Sequence, residues 1–326
     1  MVRMSFRALM AALCPLAIGL SWQSPSQNGP LTPVAKRAET ASLLAPGAIQ
    51  VDASLVLIPT NVTNSSGLPV TNLSRDDFRL FEDNVEQRIT FFNQDDAPIS
   101  IGMLFDTSGS MHDKMHKACE AAAAFFKTAN PEDEFFLVSF GDRPRLAMSF
   151  TPDSQQVYQR IATLRPFGRT SLLDAIDLAL KQMKMARHRR KALVIVSDGG
   201  DNFSRRSPGQ IKNALLESDV QLYAMGIFGE EASHRHTTEE REGPQLLDDL
   251  ALHTGGRHYP VANLEDLPHI SMRISRELRS EYVLGYSPAD TARDGKYHRV
   301  RVSLTVPGET RQFHTAYRQG YYAPGQ

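Results

Sequence analysis

The sequence is poor in cysteine and carries almost no net charge. Among its 326 residues, only Cys14 and Cys119 are cysteines, too few for a disulfide framework or a cysteine-rich zinc site. Lys and Arg number 36 and Asp and Glu number 37, giving a formal net charge of -1. This balance gives no support for nucleic-acid binding driven by overall positive charge, so we expect no nucleic-acid partner.

A long apolar run is also missing. The N-terminal run Ala8–Leu20 is shorter than the stretch of about 20 apolar residues that a membrane-spanning helix needs. It follows Arg3 and Arg7 and precedes a polar stretch, a pattern that predicts a secretory signal over residues 1–21. We therefore expect a secreted or periplasmic protein. An uncleaved signal that anchors the chain in a membrane is the alternative.

The rest of the chain falls into four predicted segments. Residues 22–47 are rich in Ser, Pro and Ala and predict a flexible tether. Residues 48–96 contain short alternating strands and predict a β-rich segment. Residues 281–326 return to the same strand pattern, and we expect them to pack with 48–96 in one accessory module.

Within the first β-rich segment, three strands are predicted. They are placed at 49–57, 77–81 and 88–92, and residues 82–85 are predicted to form the turn between the last two.

Residues 97–280 alternate buried strands with amphipathic helices. The run Ile99–Phe105 is continuously apolar, as expected for a strand covered on both faces, and His112–Thr128 repeats apolar residues at helical spacing. The strand Arg145–Phe150 is predicted to pair with Glu134–Phe140 across a tight turn. The pattern predicts an α/β domain with a mostly parallel central sheet and helices on both faces.

Oxygen-bearing side chains cluster where strands of this sheet end. Asp106, Ser108 and Ser110 alternate directly after the first buried strand, Thr170 precedes a helix, and Asp198 follows another buried strand. The carboxyl edge of a parallel sheet is where ligand sites form, so these five side chains are expected to converge. Carboxylates and hydroxyls are hard donors that suit Mg²⁺, with Mn²⁺ or Ca²⁺ as alternatives. A helix N-cap is the simpler explanation for either serine alone.

These five positions resemble the metal-ion-dependent adhesion site of the von Willebrand factor type A domain. Its Asp-x-Ser-x-Ser motif matches Asp106, Ser108 and Ser110, and its distant threonine and aspartate match Thr170 and Asp198. The resemblance covers residues 98–275 and implies a Rossmann-like domain that binds proteins through a divalent cation. The partner would be an extracytoplasmic protein that presents an Asp or Glu to complete the coordination shell.

The flanks are similar to those of a bacterial secreted subfamily of such proteins. The similarity rests on Leu68-Pro-Val70, Asp77-Phe78 and Tyr282-Val-Leu-Gly-Tyr286. This similarity indicates how the flanking segments are arranged but says little about the function of the protein.

Two other functions remain as alternatives. The chain could be a structural or accessory envelope subunit whose metal only stabilises loops. It could also be a metal-dependent hydrolase, but Ser108 stands where a dehalogenase-type phosphatase needs a second aspartate. The sequence also contains neither a Gly-x-Ser-x-Gly elbow nor a His-Glu-x-x-His helix. We therefore expect no enzymatic activity and no small-molecule substrate.

Overall fold

The computed structural model describes residues 55–94, 96–198, 200–228, 238–288, 294–305 and 313–323. The predicted signal (1–21) and tether (22–47) lie outside the described residues. Among the described residues, no helix combines the length and the apolar character that crossing a membrane requires.

A six-stranded sheet forms the centre of the fold. In chain order its strands are β5 (Ile99–Asp106), β6 (Glu134–Phe140), β7 (Arg145–Thr151), β8 (Arg190–Ser197), β9 (Gln221–Ile227) and β10 (His258–Val261). Their spatial order is β10-β9-β8-β5-β6-β7. All neighbours are parallel except β7, which pairs antiparallel with β6 as predicted. The mostly parallel α/β fold expected from the sequence is thus confirmed.

In the described part of the chain, six α-helices accompany this sheet. They are α1 (Met115–Phe126), α2 (Ser154–Ala162), α3 (Leu172–Met183), α4 (Pro208–Ser218), α5 (Thr238–Leu252) and α6 (Leu267–Arg279). Because alternate strand residues point to opposite faces, the sheet has two cores. One packs against α1, α2 and α6, and the other against α3, α4 and α5. In β5, for example, Met103 and Phe105 enter the first core and Leu104 enters the second.

Eight shorter strands form two antiparallel sheets outside the central one. They are β1 (Val56–Thr63), β2 (Phe78–Glu82), β3 (Val85–Gln87), β4 (Phe91–Asn93), β11 (Tyr282–Tyr286), β12 (Tyr297–Leu304), β13 (His314–Tyr317) and β14 (Gly320–Tyr322). The sheet orders are β13-β1-β11-β4 and β14-β12-β2-β3. Each sheet therefore combines strands from before and after the central domain.

The two flanking sheets share one apolar core. Ile58 of β1 and Tyr282 and Leu284 of β11 pack with Leu80 of β2 and Val302 of β12. Inward-facing residues of two sheets that interdigitate in this way form a β-sandwich.

Local details of this module differ from the sequence-based expectation. The first strand is Val56–Thr63 and not 49–57, of which 49–54 lie outside the described residues. The predicted turn at 82–85 is shorter: only Asp83 (φ 46°) and Asn84 (φ 70°) form it, and β3 follows at once. Two successive residues of positive φ make the tight hairpin turn that matches strand twist, and Asp and Asn tolerate that conformation. Strand β13 was not predicted, because its sequence His-Thr-Ala-Tyr has little apolar alternation.

Candidate metal centre

The first loop of the candidate site begins at the last residue of β5. Asp106 is fully buried, and its Oδ1 accepts a hydrogen bond from the Ser108 amide at 2.8 Å. Its Oδ2 accepts one from the Ser197 hydroxyl at 2.6 Å. The hydroxyl oxygens of Ser108 and Ser110 lie 3.0 Å apart, with Ser108 buried and Ser110 exposed. This loop thus brings one carboxylate and two hydroxyls together beside solvent.

The helix-cap explanation for the serines is not favoured by the structure. Ser108 precedes the short 3-10 turn Gly109–Met111 in an extended conformation, but its side chain makes no capping hydrogen bond.

The second loop, before α3, is bonded to the first by backbone contacts. The Gly109 amide donates to the Gly168 carbonyl at 2.9 Å, and the Phe167 amide donates to the Thr107 carbonyl at 2.7 Å. Gly168 has a φ of +83°, and a Cβ there would lie 2.6 Å from the Asp142 carboxylate carbon, so glycine is required. The loop leaves Thr170 buried.

The third loop follows β8 and carries Asp198, which is buried. Asn202 joins this loop to the second one by two hydrogen bonds. Its side-chain Oδ1 accepts from the Thr170 amide at 3.0 Å, and its backbone amide donates to the Thr170 carbonyl. Since β5 and β8 are parallel neighbours, Asp106 and Asp198 lie at the same edge of the sheet. We call Asp106, Ser108, Ser110, Thr170 and Asp198 the oxygen site.

Electrostatically, the oxygen site disfavours the charged form of Asp106. Burial, followed by repulsion from the Asp198 carboxylate, raises the pKa of Asp106 to about 7. Around Asp106 only amide and hydroxyl donors offset this. A hard divalent cation fits this set of oxygen donors, because it would neutralise both carboxylates and match their chemistry.

Three further residues shape the site, and one of them was missed in the sequence. Lys114, just before α1, places its Nζ 3.0 Å from Asp198 Oδ2, so an ammonium group already contacts one predicted ligand. Asp142 and Asp201 hold loops in place. Asp142 accepts from the Arg169 amide at 2.8 Å, and Asp201 accepts from the Ser204 hydroxyl at 2.6 Å.

Aromatic and basic groups surround the opening. Phe167 is 78% exposed, and the Arg169 guanidinium lies 4.1 Å from the centre of the Phe203 ring. Because Phe167 is bonded to the first loop, this surface lies directly beside the oxygen site.

Comparisons with solved structures give distant likenesses. A von Willebrand factor type A protein from Catenulispora acidiphila is 12% identical and has a TM-score of 0.48, covering 84% of this chain and 74% of its own. BatB, a conserved hypothetical protein from Bacteroides thetaiotaomicron, is 17% identical with a TM-score of 0.44, covering 56% of this chain and 100% of its own.

The von Willebrand factor domain of the type V pili tip protein Mfa5 from Porphyromonas gingivalis is 13% identical. It has a TM-score of 0.46 and covers 55% of this chain and 94% of its own. Likenesses at this level of identity and TM-score carry no argument about function.

The sequence itself gives a family match. No curated protein matches the chain. Residues 102–200, from β5 to the loop after β8, match the family model of the von Willebrand factor type A domain. The segment 102–200 is therefore similar to a von Willebrand factor type A domain, and Asp106, Ser108, Ser110, Thr170 and Asp198 all lie within it.

Proposed function

We propose that this chain binds other extracytoplasmic proteins through a divalent cation held at the oxygen site. Mg²⁺ is the proposed ion, with Mn²⁺ or Ca²⁺ as alternatives. When bound, the ion would supply an electrophilic coordination position that a carboxylate of the partner can fill. The function is adhesion or assembly, and no chemical step on a substrate is required.

One observation carries this proposal. Asp106 is fully buried close to Asp198, so two carboxylates share a small volume in which Lys114 contacts only the second. Burying a carboxylate is costly unless a cation or several donors compensate. An arrangement of this kind is typical of a site whose missing positive charge arrives with a ligand.

The surroundings of the oxygen site favour an acidic protein partner. Ser110 is exposed, so the site opens to solvent on that side. Phe167 and the stacked pair Arg169 and Phe203 offer an aromatic and cationic rim. Exposed aromatics and arginines contribute most of the binding energy in many protein interfaces.

The alternative, a metal that only stabilises loops, is less well supported. The first and second loops are already joined by two backbone hydrogen bonds, and the second and third by Asn202. Loops fixed in this way do not need a metal to hold their positions, so binding a partner is the better explanation for the uncompensated carboxylate of Asp106.

Export of the chain is part of this proposal and depends on the sequence of residues 1–21 alone. Fractionation of the producing cells tests it, since the proposal requires the chain outside the cytoplasm, either released or anchored.

Calorimetry tests the proposal directly. We expect the chain to bind Mg²⁺ and then to bind a peptide rich in Asp and Glu, and we expect a chelator to abolish peptide binding. Asp106→Ala should weaken Mg²⁺ binding by more than about tenfold and remove peptide binding with it.

Phe167→Ala serves as the matched variant. It removes an exposed ring without touching an oxygen donor, so Mg²⁺ affinity should persist while partner binding weakens. Peptide binding that is insensitive both to chelation and to Asp106→Ala contradicts the proposal. Mg²⁺ binding without any capture of extracytoplasmic proteins supports the accessory-subunit alternative, and turnover of a generic phosphoester supports the hydrolase alternative.

A further inference from the structure

A second group of charged side chains lies in the flanking module, on the hairpin of β2 and β3 and on β12. Glu82 is the last residue of β2, Asp83 opens the turn, and His298 lies on β12. The ligand atoms of these three residues lie within 4.8 Å of one another. Asp294, which precedes β12, contacts the same imidazole. We call these four residues the His298 cluster.

The two nitrogens of the His298 ring face different partners. Nδ1 lies 2.9 Å from Asp83 Oδ2 and 3.3 Å from Glu82 Oε1. Nε2 lies 3.4 Å from Asp294 Oδ1. In metal sites, a ligating histidine typically donates its other ring N–H to a carboxylate, which fixes the tautomer and the ring orientation. Asp294 is placed for that role, and Nδ1 is the nitrogen that faces the other two carboxylates.

The distances also suit a metal ion. Ligands about 2.0–2.1 Å from a tetrahedral zinc ion are separated from one another by about 3.3 Å. The separation of Nδ1 from the Glu82 oxygen, 3.3 Å, matches that value, and its separation from the Asp83 oxygen, 2.9 Å, is somewhat shorter. Asp83 is held in position because its Oδ1 accepts from the Arg299 amide at 2.9 Å, leaving Oδ2 toward the imidazole.

A buried hydroxyl gives an independent indication of a ligand. Tyr286 is fully buried, and its hydroxyl makes no hydrogen bond of normal geometry within the described structure. Its neighbours include Tyr321 and the carboxylates of Glu82 and Asp83. Tyr321 in turn donates to Glu82 Oε1 at 2.8 Å. A buried phenol beside Tyr321 and buried acid, without a hydrogen bond of normal geometry, is a group that a metal-bound water could satisfy.

The net charge of the His298 cluster also favours a bound cation. Three carboxylates surround one imidazole, and Glu82 is only 7% exposed. The lysine nearest to Asp294, Lys296, is largely exposed and lies 3.4 Å away. One protonated imidazole balances a single carboxylate, which leaves the cluster with excess negative charge.

We propose that Glu82, Asp83 and His298 bind a divalent transition-metal ion, with Zn²⁺ as the best match, and that Asp294 orients the imidazole. One nitrogen with carboxylate oxygens suits zinc better than the all-oxygen set of the oxygen site, which suits Mg²⁺. On binding, neutral His298 uses Nδ1 as the ligand and keeps its proton on Nε2 toward Asp294. Binding therefore releases a proton when the imidazole was charged.

The test is a Zn²⁺ titration of the full chain by calorimetry, with Mg²⁺ in excess to occupy the oxygen site. Asp83→Asn is the sharpest variant, because asparagine tolerates the positive φ and can still accept from the Arg299 amide. We expect Asp83→Asn and His298→Gln each to weaken Zn²⁺ binding by at least about tenfold.

Glu86→Gln is the matched control. Glu86 lies on the same hairpin and pairs with Arg79, outside the cluster, so Zn²⁺ affinity should not change. Substituting Co²⁺ adds a visible absorption band that the same two variants should remove. Absent Zn²⁺ binding, or binding equal in the wild type and in Asp83→Asn, overturns the proposal and leaves a protonated His298 that bridges carboxylates. Thermal melts verify that both variants are folded. If His298→Gln does not fold, the result for Asp83→Asn decides the outcome.

Discussion

The two edges of the central sheet treat buried carboxylates in opposite ways. At the amino edge, Asp133 pairs with Arg279, and Glu134 lies 2.8 Å from the Arg187 guanidinium. At the carboxyl edge, Asp106 has only hydroxyl and amide donors, and a second carboxylate is its neighbour. Asp133 and Glu134 thus each have an arginine of this chain as a partner. Among the described residues, Asp106 has no such cationic partner.

The pKa values express the same contrast. Burial alone would raise the pKa of Glu134, but the Ser100 hydroxyl, the Arg187 amide and the Arg187 guanidinium together lower it. For Asp106, burial and Asp198 act in the same direction, and its pKa rises to about 7. Three experiments test this contrast between the two edges of the sheet.

The largest effect is expected at the amino edge. Arg279→Ala removes the guanidinium that contacts Asp133, which is fully buried. Leaving a buried charge without its partner costs about 3–5 kcal/mol, so the free energy of unfolding measured with urea should fall by that amount. Arg75→Ala is the control, because its pair with Asp76 is exposed and should contribute less than about 1 kcal/mol. Equal effects of the two variants would remove the distinction between the edges.

The free energy of unfolding, measured over a range of pH in the presence of a chelator, tests the carboxyl edge of the sheet. The folded-state pKa of Asp106 lies above its ordinary value, so the folded chain holds this proton more tightly than the unfolded chain. Stability should therefore fall as the pH rises from about 4 to about 7, by at most about 1.4 kcal/mol per pH unit from this group.

Asp106→Asn isolates that contribution, because other titrating groups remain in both chains. The difference in unfolding free energy between Asp106→Asn and the wild type should grow with pH in chelator and shrink when Mg²⁺ is added. A difference that does not depend on pH would mean that the surroundings of Asp106 do not raise its pKa.

The smallest effect concerns Lys114, the only cation that contacts Asp198 among the described residues. Lys114→Met removes a positive charge beside the proposed ion and frees the Asp198 carboxylate. Mg²⁺ affinity should rise about fivefold, a change of about 1 kcal/mol that is typical of one nearby charge. Lys117→Met is the matched control, because Lys117 lies in the first turn of the helix that follows Lys114 and pairs with Glu120 and Glu265. Weaker Mg²⁺ binding in Lys114→Met would assign the lysine a supporting role.

The central domain was predictable because its signals are local. The continuous apolar run of β5 and the repeat in α1 identify a buried strand and its covering helix, and the Asp106 loop lies between them. Placing Asp198 at the same edge as Asp106 needed only the rule that parallel strands end at one edge, because β5 and β8 are parallel neighbours. Thr170 lies between α2 and α3, so that rule does not place it.

Other features depend on contacts that sequence patterns do not contain. Lys114 reaches Asp198 across 84 residues, and His298 meets Asp83 across 215. The turn at Asp83 and Asn84 also depends on backbone conformation, which the three polar residues Glu82–Asn84 do not specify. The order of the flanking strands is set by pairing between segments on either side of the central domain, and no local period predicts it.

The way in which the chain enters and leaves the central domain has a mechanical consequence. Asn93, at the end of β4, pairs with Val283 of β11, so the crossings into and out of the domain are adjacent. A tension applied between residues 55 and 323 would be carried by the two flanking sheets and would bypass the domain inserted between them. The loops of the oxygen site would keep their geometry under a tension that unfolds domains arranged end to end.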